Sequence, residues 1–419
     1  MDTQPVAPDH PRRAAARAYP ERARGRSRLN TDAGFSHLGR KPDTIECQVS
    51  GDRSTTYHRH VRHEMSTLNV GEPAPWFSVP RSGAGGRIAL DELAGRDIVL
   101  LFCGSWSDAA AQKALDDFAR HGDVFATGHA ILIGLSTAAE RIPQQFAATT
   151  GWHFGHDQDG AVAERYGLDP KLLSCTAFVL SPTLQVLEIA TGVEQIAARI
   201  LPLIQARRTH PPQIHDAPVL IVPGVFDAPF CASLIETYEA EGGREIGAVE
   251  NAGKVVEKFD PTFRKRLDWY ISNEQTVQQC RDLLVRRLLP MIHRAFQFRT
   301  TRIERYLVGC YEAAEGGHFH AHRDNTAPLV AHRRFAVTLN LNDAYEGGNL
   351  SFPEFGPKTY RAGVGSAVVF SCSLLHEVTP LTSGTRYAFL SFLYDEEAQR
   401  VREEQASRMA AGARAPNRG

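Results

Sequence analysis

The chain has no run of about 18 apolar residues that would span a bilayer as a helix, and no apolar core follows its N-terminus as a secretory signal requires. Nor does it carry an excess of one charge: 47 Lys and Arg stand against 48 Asp and Glu, a formal charge of -1. That balance gives nucleic acid or an anionic membrane no global electrostatic reason to bind. Cysteine is sparse and unpatterned, with seven residues (47, 103, 175, 231, 280, 310 and 372) and no CxxC. An odd, scattered set excludes a disulfide framework and fits a reducing compartment, so each cysteine reads as a small buried hydrophobe. A cytoplasmic protein with no nucleic-acid or membrane partner is expected.

The 419 residues, 42% hydrophobic, are enough for two or three domains at ~100–200 residues each. Residues 1–65 read as a disordered basic extension: PRRAAARAYPERARGRSRLN is arginine-rich, poor in apolar residues and without helical periodicity. Its interspersed acids and lack of aromatic interleaving argue against a nucleic-acid arm or a transit peptide. Met65 opens MSTLNVGEPAPWFSVP, which reads as a natural domain start, so the first 64 residues are expected to be an untranslated upstream extension of the frame. A domain over 66–209 follows, then a proline-containing linker over 210–218, a second domain over 219–397 and a charged tail over 398–419.

Between 66 and 209 strand and helix patterns alternate. IVLLFCG and AILIGLS are apolar runs, and SDAAAQKALDDFARHG sets Ala111, Leu115 and Phe118 at helical spacing behind a capping Ser or Asp. TAFVLS and LQVLEIA read as a hairpin, and VEQIAARILPLIQARR as a closing amphipathic helix, giving an α/β layer arrangement. GEPAPWFSVP, IVLLFCGSW and HDQDGAVAERYGL together resemble the thioredoxin-fold redoxins of the peroxiredoxin or thiol peroxidase type. Redoxin chemistry needs a thiolate in the first turn of the helix after the first core strand, where the helix N-terminus lowers its pKa. Here that turn is Ser107-Asp108-Ala109-Ala110-Ala111, Cys103 comes four residues too early, and LLSCTAF lacks the proline that precedes the third core strand. The expectation is a redoxin fold without redoxin catalysis, left to dimerisation, docking or substrate positioning. The competing reading makes Cys103 or Cys175 reactive and the enzyme bifunctional.

The second domain carries the chemistry. In a strand, residues i and i+2 share a face ~6.6 Å apart, so His322 and Asp324 of HFHAHRDN are expected to converge on one ion, with His376 of LLHEVTP arriving on another strand. FAVTLNLN, LSFPEF and GSAVVFSC read as strands and YEGGN as a turn, the makings of an antiparallel double-sheet barrel. Two imidazoles and a carboxylate form the facial triad of non-haem Fe(II) oxygenases. Arg386, ten residues after His376 beyond the turn-rich TPLTSGT, is suited to grip a carboxylate bidentately, and Tyr311 to donate a hydrogen bond into the same pocket. His318 and His320 share strand parity with His322 but have no aspartate two residues on, and are expected to be cleft-wall or solvated residues. His332 is expected in a loop. CASLIETYEAEGG and VQQCRDLLVRRLLPMIHRAF are expected to be helices outside the barrel, and the charges of VEKFDPTFRKRLDWY to line a cleft entrance or be solvated.

The run from Tyr311 through HFHAHRDN, LNDAYEGGNLSFPEFG and HEVTPLTSGTRYAF resembles the prolyl 4-hydroxylase branch of the 2-oxoglutarate and Fe(II)-dependent dioxygenases, over about residues 216–395. The resemblance implies a double-stranded β-helix (jelly-roll) with flanking helices, Fe(2+) on His322, Asp324 and His376, and 2-oxoglutarate held by Arg386 through its C5 carboxylate. It also implies L-ascorbate as the reductant that keeps iron ferrous, O2 as co-substrate, and hydroxylation of a prolyl-type peptide, amino acid or other small molecule with release of succinate and CO2. Two further readings stand beside it: a thiol peroxidase fused to the oxygenase, and a non-catalytic 2-oxoglutarate or iron sensor. A homodimer through the redoxin-like domain is the expected assembly.

Overall fold

A run of seven residues, DIVLLFC, is buried at every position, as a strand covered on both faces must be. This strand, β1 (Asp97–Cys103), is the centre of the first sheet. The computed structural model describes residues 68–414 save 84, 140–141, 193, 210–215, 246–248, 252–253 and 257–259. The described residues all belong to one compact unit, His63–Gly419. The expected N-terminal extension and its Met65 boundary lie outside the described residues, as does most of the expected linker.

In the first sheet β1 pairs in parallel with β2 (Ala130–Ser136), which pairs in parallel with β3 (Trp152–His156). On its other side β1 pairs antiparallel with β4 (Thr176–Leu180), and β4 with β5 (Val186–Thr191). The order β3-β2-β1-β4-β5 is thioredoxin-like. Helices α1 (Ala109–Ala119) and α2 (Ile196–Thr209) bury Leu115, Phe118, Ile196 and Ile200 against one face. Asp108 occupies the N-cap of α1, but its side chain makes no capping bond.

The second part is built from two further sheets and outer helices, besides a short hairpin of Val249–Asn251 with Lys254–Val256 that forms a two-stranded sheet of its own. In chain order the strands of the two larger sheets are β6 (Leu220–Val222), β7 (Arg264–Lys265), β8 (Leu267–Tyr270), β9 (Arg302–Glu312), β10 (His318–His322), β11 (Phe335–Asn340), β12 (Tyr345–Gly347), β13 (Leu350–Ser351), β14 (Thr359–Tyr360), β15 (Ala367–Ser371), β16 (His376–Val378) and β17 (Leu381–Tyr394). One sheet runs β8-β9-β17-β11-β15-β6 with β12 also on β17; the other runs β7-β10-β16-β13-β14. These two faces make the jelly roll. Alternation sorts the large sheet: Val337, Leu339, Phe389 and Leu393 pack outward on α3 (Ala228–Glu241), α4 (Glu274–Leu283) and α5 (Leu289–Phe296), while Ala336, Phe370 and Phe392 point inward.

One expected turn is strand throughout and another is strand in part. Tyr345–Gly347 of YEGGN forms β12, with the chain bending after it at Gly347 and Gly348 (φ 72° and 61°), and TSGT lies inside β17, where Gly384 stands opposite Tyr345 at φ 76° and a Cβ there would meet the Ala344 carbonyl oxygen at 2.5 Å. Glycine satisfies that close pairing, so its turn-like composition misleads. The charged tail begins as α6 (Glu396–Arg414), whose Glu396 pairs with Arg302 and whose Ala398 is buried. No described helix is long and apolar enough to cross a membrane.

A bulge interrupts β9 between Glu304 and Leu307. Glu304 there accepts from Arg333 at 2.6 Å and sits 2.8 Å from the buried His332, which is tied down by this contact in its loop. Burial alone would raise the Glu304 carboxyl, but His332 and Arg333 outweigh it and bring it down to about 2. A depressed folded value stabilises above the ordinary pKa of 4.5 and loses that contribution as pH falls toward about 2. The difference is on the order of 3 kcal/mol. Glu304→Gln is expected to flatten the acid limb of a urea-unfolding profile in that window; an unchanged limb would show the cluster to be silent.

Candidate metal centre

His322 ends β10 and His376 begins β16, and the two are direct cross-strand partners. The register shifts between Phe319 and His322, which breaks the parity the sequence suggests. His322 stacks on Phe319, ring centroids 3.6 Å apart, while His318 is held by the Gly316 and Thr262 carbonyls and His320 is exposed. Asp324 lies just past the strand rather than within it, pinned by its N–H donating to the Cys372 carbonyl at 2.9 Å. The bulge and the strand end, not i, i+2 pleating, bring the carboxylate round.

The donor atoms of His322, Asp324 and His376 all lie within 4.8 Å of one another. His322 Nε2 is 3.6 Å from one carboxylate oxygen and His376 Nε2 3.3 Å from the other. Cis ligands ~2.1 Å from an ion stand roughly 3 Å apart, so small movements would close the set on a metal. Both Nδ1 atoms face backbone carbonyls, His322 that of His320 at 2.8 Å and His376 that of Leu374 at 3.0 Å. A carbonyl on Nδ1 fixes the tautomer that leaves Nε2 bare for a metal. Burial and the neighbouring His322 ring push His376 down to about 4, so it is neutral at pH 7. Burial would raise the Asp324 carboxyl, yet the His376 and His322 imidazoles hold it well below the usual range. Two imidazoles and one carboxylate suit a hard-to-borderline divalent cation with open positions.

Arg386 on β17 faces the barrel interior and is buried. It donates to Asn340 Oδ1 at 3.1 Å and Thr338 Oγ1 at 3.2 Å, and its guanidinium carbon stands 5.3 Å from the Tyr311 ring, its register partner on β9. Among the described residues no carboxylate pairs with it. Tyr311 and Thr338 line the pocket that holds the three donors, and both are in contact with Arg386.

Two other arginines line that pocket directly and were not singled out by the sequence. Arg266, from the segment expected at a cleft entrance or in solvent, is buried, paired bidentately with Asp268 at 2.5 and 2.9 Å, and donates to Tyr311 Oη at 3.3 Å. Gly309 admits it, since a Cβ there would stand 2.9 Å from Arg266 Cδ. Arg305 leaves the β9 bulge at φ 55° and stacks over Phe392 at 4.4 Å with a buried, unbonded Nε.

A third, Arg323, sits between two of the metal-site residues and points the other way. It grips Glu354 at 2.8 and 3.2 Å and donates to the Ser373 carbonyl. It also crosses to the thioredoxin-like part, donating to the Asp91 carbonyl at 3.2 Å and lying over Trp76 at 4.6 Å. Glu354 in turn accepts from the Leu375 N–H at 2.8 Å, the residue before His376. Leu375 is part of the core cluster of the thioredoxin-like sheet, and the partly buried Ala321 packs against it. Both histidine-bearing segments are thus clamped from behind by one buried ion pair.

Residues 305–394 match the 2OG-Fe(II) oxygenase superfamily, and residues 70–189 the AhpC/TSA family. A PKHD-type hydroxylase from a Synechococcus species is 31% identical over 102 residues, 23% of this chain and 45% of that protein. Another, from Pseudomonas putida, is 26% identical over 179 residues, 41% of this chain and 75% of the relative. The chain thus spans less than half the length of the first of these relatives. The solved structure of a Pseudomonas putida prolyl-4-hydroxylase superposes with a TM-score of 0.33 at 16% identity, covering 43% of this chain and 94% of that one.

Proposed function

We propose that this chain, which joins an AhpC/TSA-type redoxin domain to a 2OG-Fe(II) oxygenase domain, is a dioxygenase that hydroxylates a prolyl-type peptide or amino acid with release of succinate and CO2. The observation that carries this reading is Arg386: a buried, permanently charged group with no carboxylate partner among the described residues, facing the same interior as the two histidines and the aspartate. A buried cation left unpaired is costly, and a dicarboxylic co-substrate supplies the missing partner. Iron held by His322, Asp324 and His376 provides the oxygen chemistry when bound. Arg386, Thr338 and Tyr311 take the distal carboxylate, orienting the co-substrate toward the metal. Phe319, Phe370 and Phe392 exclude water from the pocket. The prolyl-type preference rests on the sequence resemblance to the prolyl 4-hydroxylases, and the relatives named PKHD-type hydroxylases support hydroxylation.

In this proposal O2 is the second co-substrate and L-ascorbate keeps the iron ferrous. The domains run 66–209 and 219–397, and the protein is cytoplasmic, free of nucleic acid and dimeric through its redoxin-like part. That part is not a thiol peroxidase, because Ser107 and Asp108 stand where its helix would present a thiolate. It serves instead as the buttress that Arg323 grips. Succinate release with Fe(II) and 2-oxoglutarate against peptide and metabolite pools tests the reading. Binding of 2-oxoglutarate with no turnover in any pool would make the protein a sensor instead.

Arg386→Ala is expected to weaken 2-oxoglutarate binding by about 2 kcal/mol, roughly 30-fold, with Fe(II) half-saturation nearly unchanged. Arg386→Lys keeps the charge but loses the fork and is expected to retain part of the affinity. Arg305→Ala is the control: loss of 2-oxoglutarate affinity there and not at Arg386 would move the anchor to the β9 bulge.

A further inference from the structure

The iron reading leaves one pair of nucleophiles unused. Cys103 Sγ and Cys175 Sγ lie 2.9 Å apart in the interior of the redoxin-like sheet. Cys103 ends β1 and Cys175 immediately precedes β4; the antiparallel register sets Phe102 against Thr176, so the next pair is Cys103 with Cys175. Directly opposed strand residues have Cβ atoms ~4.5–5.5 Å apart, within a small adjustment of the ~3.5–4.5 Å a disulfide needs. Both side chains enter the same apolar cluster beside Trp106 and Ala177 and are 1% and 2% exposed. The other described cysteines are dispersed: Cys231 on α3, Cys280 on α4, Cys310 on β9 and Cys372 after β15.

We propose that Cys103 and Cys175 are a dithiol that closes reversibly to an intramolecular disulfide, giving the redoxin-like domain a two-electron couple in place of the missing helix-start thiol. The pair sits where β1 passes through Gly104 and Ser105 toward α1, so the thiols are moved from the helix into the strands beneath it. Its oxidant is a low-molecular-weight disulfide. The Cys175 thiolate attacks one sulfur of that disulfide, whose S–S bond breaks and whose other half leaves as a thiol carrying the Cys175 proton. Cys103 then attacks the mixed disulfide at Cys175, its proton leaves with the second small thiol, and the protein S–S bond forms as the oxidant is reduced to two thiols. The order follows the surroundings. A hydrogen bond from Cys103 lowers Cys175, whereas the same bond and burial raise Cys103. The segment leading into Cys175 is also open to solvent, with Leu172 79% exposed.

Equilibrating the reduced full-length protein in glutathione buffers of increasing oxidised fraction, quenching with acid and alkylating under denaturing conditions tests this independently of the iron site. Labelling of Cys103 and Cys175 is expected to fall together to near zero, to return with dithiothreitol, and to be accompanied by a cross-linked peptide pair containing both, while Cys280 stays fully labelled. Cys103→Ser is expected to strand glutathione on Cys175, and Cys175→Ser to leave Cys103 unmodified. Labelling of Cys103 and Cys175 that tracks Cys280 throughout the series, or glutathione on one of them in the wild type with no linked peptide, overturns the proposal. The wild-type map alone decides it if either serine variant fails to fold.

Discussion

Asp324→Ala is expected to bring succinate formation to background, and His376→Ala to do the same, with the barrel still folded. Changing a residue that merely orients a ligand costs about 10–100-fold in metal affinity or activity, so removing one of three direct ligands costs more. Asp324 supplies the site's only negative charge among the described donors. The two imidazoles face that carboxylate at 3.6 and 3.3 Å. Asp324→Asn separates the two contributions: it keeps the shape, so loss of metal binding in that variant assigns the effect to charge. Fe(II) titration and succinate release are read together. Wild-type turnover in both alanine variants would remove this site from the protein's chemistry.

That result hinges on residue types that the sequence already offers as candidates, because a metal and a dicarboxylate accept few donors. The barrel topology brings His322, Asp324 and His376 together, and Arg386 is buried on β17 of the same barrel. How they meet was not legible. The pleat argument placed Asp324 beside His322 on one strand, whereas a register shift and a strand end do the work. Composition marked TSGT as a turn, since no local signal says that β12 will pair with it. The buried strands β1, β2, β11 and β15 were readable as apolar runs. Arg266 and Arg305 were not, because a charged residue reads as solvated until its packing is known: Arg266 pairs with Asp268 only two residues on, but its contact with Tyr311 spans 45 residues, and Arg305 meets Phe392 on another strand. Arg323 is the extreme case: it lies between two donors, yet its contact with Asp91 spans 232 residues.

Arg323→Ala is therefore expected to act at long range, on fold and iron together. The side chain is 2% exposed and its partner Glu354 8%. Removing one member of such a buried pair typically costs 3–5 kcal/mol, because the other charge is left uncompensated. Glu354 would keep only the Leu375 N–H, and the hold on both histidine-bearing segments would slacken. Fe(II) half-saturation is expected to rise about 10–100-fold, as for other groups that orient ligands, alongside a lowered melting temperature. Arg323→Lys is not expected to rescue, since an ammonium cannot form the fork with Glu354 and also lie flat over Trp76. Trp76→Ala removes a contact from the redoxin-like side alone. A smaller rise in Fe(II) half-saturation there, with the three donors untouched, would trace metal affinity across the domain boundary. An unchanged Fe(II) titration in Arg323→Ala, despite a lower melting temperature, would confine the clamp to stability and leave the redoxin-like part without a hold on the metal.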